Sequence, residues 1–149
     1  MALHIRTATM ADQRRIVQIV RAARINPTGL GWPRFLVAEQ AGQLVGTIQV
    51  KPQRDQTREL ASLAVLPAYQ GCGVGAALVR AIQAQYPAPL YLTCIDALEP
   101  YYARFGFKRV EPQALPPVLG RTYRGVNLLL GVLRREERLL VMLWVPQSG

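Results

Sequence analysis

The sequence predicts an α/β protein: a mixed, mostly antiparallel, twisted sheet of about six to seven strands, flanked by helices. Three observations predict it. Short β-branched and apolar runs of strand length are spread along the whole chain, separated by segments with helical apolar spacing. Two of those runs follow one another through Gln40-Ala41-Gly42-Gln43, the form of a hairpin, so the early strands meander. A third feature is a strand that leads through a glycine-rich turn into a helix, which places helices against a sheet.

Taken in order, residues 3–7 alternate and read as a short strand. Thr9-Met10-Ala11-Asp12 has the form of a helix N-cap with an acid three residues on to answer it. Ile16, Val17, Val20 and Ala23 recur at helical spacing, which predicts an amphipathic helix over 10–24. The prolines and glycines of 26–33 make a loop. Residues 35–38 and 44–50 are the hairpin strands, the polar stretch 52–58 is the next turn, and 59–65 is a third strand. Ala77, Leu78, Val79, Ile82 and Ala84 predict a helix over 75–85, stopped by Pro87-Ala88-Pro89 before a strand at 90–94. A short helix over 97–105 has Asp96 as its cap, Glu99 three residues later and Pro100 in the first turn, where a missing N–H is harmless. Residues 107–110 form another strand. Past Pro116-Pro117, the spacing of Val126, Leu129, Leu130 and Leu133 predicts an extra helix at about 117–134, and the apolar run 138–145 a last strand. No repeat, linker or low-complexity tract interrupts the chain, so residues 1–149 read as one domain.

Composition excludes several functions. The net charge is +9, and sixteen of the eighteen basic residues are arginine, but they are spread along the chain. The densest group, Arg134-Arg135, stands beside Glu136-Glu137. Nucleic-acid binders concentrate such charge in a face or stripe, so a generally basic surface that attracts anionic ligands is the better reading. No apolar run reaches the ~20 residues of a membrane helix, and the N-terminus lacks a signal-peptide pattern, so a cytoplasmic protein with no membrane partner is expected. Cys72 and Cys94 fit no zinc or disulfide framework. With His4 the sole histidine, neither a metal site nor a histidine-activated nucleophile is expected.

The most informative stretch is Gln70-Gly71-Cys72-Gly73-Val74-Gly75-Ala76, between the strand ending Leu63-Ala64-Val65 and the helix after it. Backbone N–H groups at a helix N-terminus favour negative charge, and glycine lets a backbone approach a ligand closely. The stretch reads as a phosphate cradle. A turn that uses glycine only for tightness would not need three in five residues. A dinucleotide fold fails because the third glycine is out of register and the preceding strands meander. Cys72 is a small filler with no histidine to activate it.

These residues resemble the GCN5-related N-acetyltransferase (GNAT) family. Gln70-x-x-Gly73-x-Gly75 is similar to the family's Gln/Arg-x-x-Gly-x-Gly/Ala signature, with Pro67 placed as in the family; Tyr102-Ala103-Arg104-Phe105-Gly106-Phe107 is similar to its tyrosine-to-Gly-Phe element; and Ile5-Arg6-x-Ala8-Thr9-x-x-Asp12 to its usual opening. The likeness spans roughly residues 3–110. It implies the acyl-coenzyme A N-acyltransferase fold and acetyl-coenzyme A as co-substrate, with no metal. The diphosphate would lie on Gln70, Gly71, Cys72, Gly73, Val74, Gly75 and Ala76, and the pantetheine arm would pair with the backbone of Leu63, Ala64 and Val65. The residue matching Tyr102 protonates the departing thiolate; packing is the alternative role for it, as for Tyr101. Glu59 is the best-placed base, against a solvated strand-end charge or an arginine partner, with a water chain as substitute. Some relatives carry a glutamate where Thr93 stands, and an asparagine near Ile95-Asp96; both are absent here. The expected reaction is direct attack of a primary amine, on a small molecule or a peptide, on the thioester. An acyl-coenzyme A sensor without turnover and a basic nucleic-acid-binding domain are the rival readings. The C-terminal helix either covers the sheet, walls the acceptor pocket or makes a homodimer contact. Trp32 and the loop 26–34 either touch the acceptor or anchor the loop.

Overall fold

The computed structural model describes residues 2–147. Its elements are β1 (His4–Thr7), α1 (Gln13–Ala22), β2 (Phe35–Gln40), β3 (Gln43–Pro52), β4 (Arg58–Val65), α2 (Val74–Gln85), β5 (Leu90–Ile95), α3 (Glu99–Ala103), β6 (Lys108–Arg109), α4 (Pro117–Val132) and β7 (Leu139–Trp144). The seven strands are ordered β1-β2-β3-β4-β5-β7-β6. β4 and β5 run parallel, meeting at Glu59 and Tyr91, whereas β1/β2, β2/β3, β5/β7 and β6/β7 are antiparallel. The mixed, mostly antiparallel sheet with flanking helices is therefore observed. No helix among the described residues is long and apolar enough to cross a membrane. The chain divides into two compact units, Met1–Lys51 with Leu60–Pro87, and Pro52–Glu59 with Ala88–Gly149.

In the first unit, Ile16, Ile19 and Val20 of α1 are buried with Phe35, Val37, Leu44 and Ala64 of the strands. Spacing of three and four residues puts that apolar face on one side of α1. The predicted helix 10–24 is shorter in α form, because Met10–Asp12 is a single 3-10 turn and regular helix ends at Ala22. Asp12 does answer the N-cap: the Thr9 backbone N–H donates to its Oδ2 at 2.8 Å. The sequence did not disclose the partner of that acid. Arg6 of β1 donates to both Asp12 oxygens, at 2.8 and 3.1 Å, and its Nε donates to Glu39 of β2 at 2.7 Å. One guanidinium thus ties β1, β2 and the start of α1 together in fork geometry.

The second unit is built on β7, which enters between β5 and β6, paired from Leu90/Trp144 to Ile95/Leu139. β6 keeps only two paired residues, although Phe107 before it is buried and the Val110 N–H after it reaches Val141 O at 2.9 Å. The helix predicted over 97–105 is corrected. Asp96–Leu98 is a 3-10 turn, α3 covers five residues, and Asp96 caps nothing with its side chain. Glu99 is occupied elsewhere, since Arg109 grips it through Nε and Nη2 at 2.9 and 2.7 Å. A bidentate guanidinium outcompetes a lone backbone amide for a carboxylate.

The helix predicted from Val126, Leu129, Leu130 and Leu133 is present as α4, with Val126 and Leu130 half-buried and the other two exposed. Leu119 and Gly120 are buried, whereas Leu128, Leu129, Val132 and Leu133 are exposed. What holds the helix to β7 is polar: Asn127 accepts from Leu139 N–H at 2.7 Å and donates to Leu139 O at 3.0 Å. Asp55 caps the other end, accepting from Val118 N–H at 3.1 Å.

The Arg6 clamp carries a pH signature. Its hydrogen bonds hold the Asp12 carboxyl down at about 2 from an ordinary 3.8, against the opposing effect of burial. A carboxyl depressed in the folded state stabilises fully above its unfolded value, and the contribution fades as pH falls through the folded one. Unfolding free energy is therefore expected to drop between about pH 4 and pH 2, and Arg6→Met to flatten that slope. Urea melts across this window, with NMR titration of Asp12, check it; an unchanged slope in the variant contradicts it.

Candidate active site

β4 is irregular where a regular strand would be expected. Ser62, in its middle, has φ of 58°, in the left-handed region that side chains rarely adopt. Such a residue breaks the pleat as a bulge does, and leaves neighbouring peptide groups outside the ladder. Thr47 Oγ1 donates to Ser62 O at 2.9 Å, and Gln49 Nε2 donates to Ser62 Oγ at 2.8 Å. Thr47 and Gln49 are both 0% exposed. Sequence reasoning missed all three residues. The signal was there: two polar side chains, alternate in position, inside the otherwise apolar run 44–50.

Leu63, Ala64 and Val65 complete β4 after this kink, and Pro67–Tyr69 makes a 3-10 turn into the glycine loop. Gln70 turns its amide back to Val65 O at 3.1 Å, tying loop to strand. Gly71 and Gly73 both take left-handed φ, 78° and 85°, and a Cβ on either would meet nothing within 4 Å. The space beside the loop is thus open on the side where side chains would stand. Gly73 is the N-cap of α2, whose first turn holds no acidic residue. The helix start at Val74, one residue before the predicted 75, places Gly75 and Ala76 within it. The first N–H groups of a helix have no partner inside it and carry the positive end of its dipole, so a diphosphate suits this cradle. Cys72 is exposed and free.

The second unit holds the two catalytic candidates in different surroundings. Tyr102, on α3, stacks edge-on against Tyr101 at 5.1 Å and Phe107 at 6.2 Å between centroids. Burial, then the neighbouring Cys94 and Tyr101, push its phenol well above the ordinary value, so it holds its proton. Tyr101 packs on Phe105 at 5.4 Å, with Arg104 over its ring. Glu59 is half-buried; Gln53 Nε2 donates to its Oε1 at 2.6 Å and Thr93 Oγ1 to its Oε2 at 3.5 Å. The Cys94 thiol is pushed to about 11 by burial and the nearby Glu99 and Asp96, which leaves it unreactive. Trp32 packs against the first unit's core, and Gln13 fastens its loop by accepting from Trp32 N–H and donating to Leu30 O, both at 2.8 Å. No group of three metal-ligating side chains occurs among the described residues.

The sequence pattern of the acetyltransferase (GNAT) domain matches residues 31–109. No curated protein matches this chain. Among solved structures, N-acetylglutamate synthase from Neisseria gonorrhoeae, complexed with coenzyme A and N-acetyl-glutamate, is similar over 99% of this chain at 20% identity and TM-score 0.78. The chain spans only about a third of that enzyme, 36% of its length. Rv2747 from Mycobacterium tuberculosis, also in complex with coenzyme A, is 24% identical at TM-score 0.69, covering 95% of this chain and 98% of that one. The ribosomal-protein-S18-alanine N-acetyltransferase from Escherichia coli is 19% identical at TM-score 0.68, covering 99% and 97%. The chain belongs to the GNAT acetyltransferase family, and it shares its fold with these coenzyme A-bound structures.

The Ser62 kink makes a stability prediction in which two effects oppose. Ser62→Gly relieves up to about 1 kcal/mol of left-handed strain but strips the buried Gln49 amide of an acceptor, which costs about 1–3 kcal/mol. A net loss of roughly 1 kcal/mol is expected for Ser62→Gly, and about 2 for Ser62→Ala, which keeps the strain and loses the bond. Urea unfolding measures both; a glycine variant more stable than the parent contradicts the account.

Proposed function

We propose that this protein is an N-acetyltransferase that moves an acetyl group from acetyl-coenzyme A to a primary amine by direct attack. The observation that carries it is the pair of left-handed glycines, Gly71 and Gly73, opening α2 immediately after the kinked β4. In this reading the loop 70–76 clasps the diphosphate and the backbone of 63–65 takes the pantetheine arm as an added strand.

A substrate ammonium near pKa ~10.4 must lose a proton before it can attack. Glu59 takes that proton, directly or through water, with Gln53 and Thr93 fixing its two oxygens. The amine nitrogen bonds the acetyl carbon, the carbon–sulfur bond breaks, the nitrogen gives its second proton to water as the amide forms, and the Tyr102 hydroxyl gives its proton to the sulfur. A phenol raised by burial donates only as negative charge builds on sulfur, and regains its proton from water. Direct transfer is favoured because Cys72 has no histidine base and Cys94 is buried. The acceptor reading is an amine on an amino acid or peptide. The net charge of +9 supports an anionic one, as does the N-acetyl-glutamate bound by the Neisseria enzyme of similar fold.

Calorimetry with coenzyme A and acetyl-coenzyme A, followed by thiol release with a panel of amines, tests this. Gly73→Val is expected to weaken coenzyme A binding at least tenfold. Tyr102→Phe is expected to lower kcat by about 10²-fold while leaving acetyl-coenzyme A affinity within twofold. An absence of coenzyme A binding overturns the proposal. Binding without turnover, or full kcat in Tyr102→Phe, turns it toward a sensor.

A further inference from the structure

The polar side chains around Ser62 continue outward as a connected track. Thr47, Gln49 and Lys51 alternate along β3 and so share one face. Gln49 Nε2 donates both to Ser62 Oγ and to Gly29 O, at 2.8 and 3.0 Å. Arg34 Nε donates to Gln49 Oε1 and its Nη2 to Gly29 O, both at 3.3 Å. Lys51 Nζ donates to Thr28 O at 2.8 Å. The track thus runs from the kink, one residue before the segment 63–65, to two cations at the loop after α1.

Buried amides and hydroxyls are a costly way to fill a sheet face, since each must find partners that an aliphatic side chain would not need. The cost is understandable if the face has to present polar groups. Gly29 shows how the cations are gathered. At φ of 66°, a Cβ there would lie 3.3 Å from Lys51 Cε, 3.4 Å from Lys51 Nζ and 3.5 Å from Arg34 Nη2. Both positive ends therefore sit within ~7 Å of each other, where two like charges repel. No ion pair among the described residues includes Arg34, and its bonds go to neutral oxygens. Arg34 and Gly29 are exposed, so a ligand from solvent can reach them. A carboxylate entering here accepts from the guanidinium fork of Arg34 and stands close to the Lys51 ammonium.

Resting on the acyltransferase reading above, we infer that Arg34 and Lys51 bind the carboxylate of the acceptor, which makes the acceptor a free amino acid or another small acid-bearing amine. Its amine then lies toward Ser62 and the kinked strand, and Gln49 is the positioning residue that holds Arg34 and Ser62 to one track.

The test uses the full-length protein with acetyl-coenzyme A and pairs of acceptors, L-glutamate and L-alanine against their α-carboxamides. The parent is expected to prefer the acids. Arg34→Gln and Lys51→Met are expected to raise acceptor KM at least tenfold for the acids and little for the amides. Acetyl-coenzyme A KM stays within twofold, and Lys51→Arg recovers most of the loss. A loop that had merely loosened would raise KM for acids and amides alike. No acid preference in the parent, or an unchanged acid-to-amide ratio in both variants, overturns the inference while leaving the acyltransferase standing. If no acceptor releases thiol, NMR titration of the coenzyme A-saturated protein with N-acetyl-L-glutamate decides separately. Shifts at Gly29 and the Arg34 guanidinium that vanish in Arg34→Gln support the carboxylate site, and their absence in the parent overturns it.

Discussion

One buried interaction sets what the first unit can present. A left-handed serine inside a strand is unfavourable by itself, by about 1 kcal/mol, and persists only where surrounding bonds over-determine it. Thr47 and Gln49 supply those bonds from β3, both fully buried and both aimed at Ser62. With the kink held, residues 63–65 run on through the Pro67–Tyr69 turn to the glycine loop, and the Gln70 amide closes loop onto strand. Had β3 carried valine and leucine at positions 47 and 49, nothing would hold Ser62 out of the regular pleat.

The second unit holds its two candidate groups in different surroundings. Tyr102 lies among aromatic rings, where loss of water keeps the phenol protonated. Glu59 instead accepts hydrogen bonds from the Gln53 amide and the Thr93 hydroxyl. In the reaction proposed above these two groups would move protons in opposite directions. Burial also pushes the nearby Cys94 thiol up and leaves it unreactive.

Local chemistry explains which parts were legible beforehand. The Asp12 cap, the alternating strands and the glycine-opened helix depend on residues within a few positions of each other, so spacing revealed them. The reading failed where a distant partner decided. Glu99 looked like the reply to Asp96 until Arg109, ten residues away, took both its oxygens. Spacing placed Leu129 and Leu133 on a helix, but did not tell that both stand outward while the Asn127 amide bonds Leu139. In the candidate site, the glycine signature was plain, whereas Ser62, Arg34 and Lys51 gave no local pattern, because the contacts that define them cross from loop to strand.

The sequence by itself determined the class of fold, the glycine loop that opens a helix and the family, since helix starts, strand alternation and glycine turns are written in consecutive residues. The tertiary structure alone decided that β7 lies between β5 and β6, that a serine breaks β4, and that two cations converge on Gly29. Each of these joins groups far apart in the chain, and only packing and hydrogen-bond geometry bring such groups to within a few ångströms.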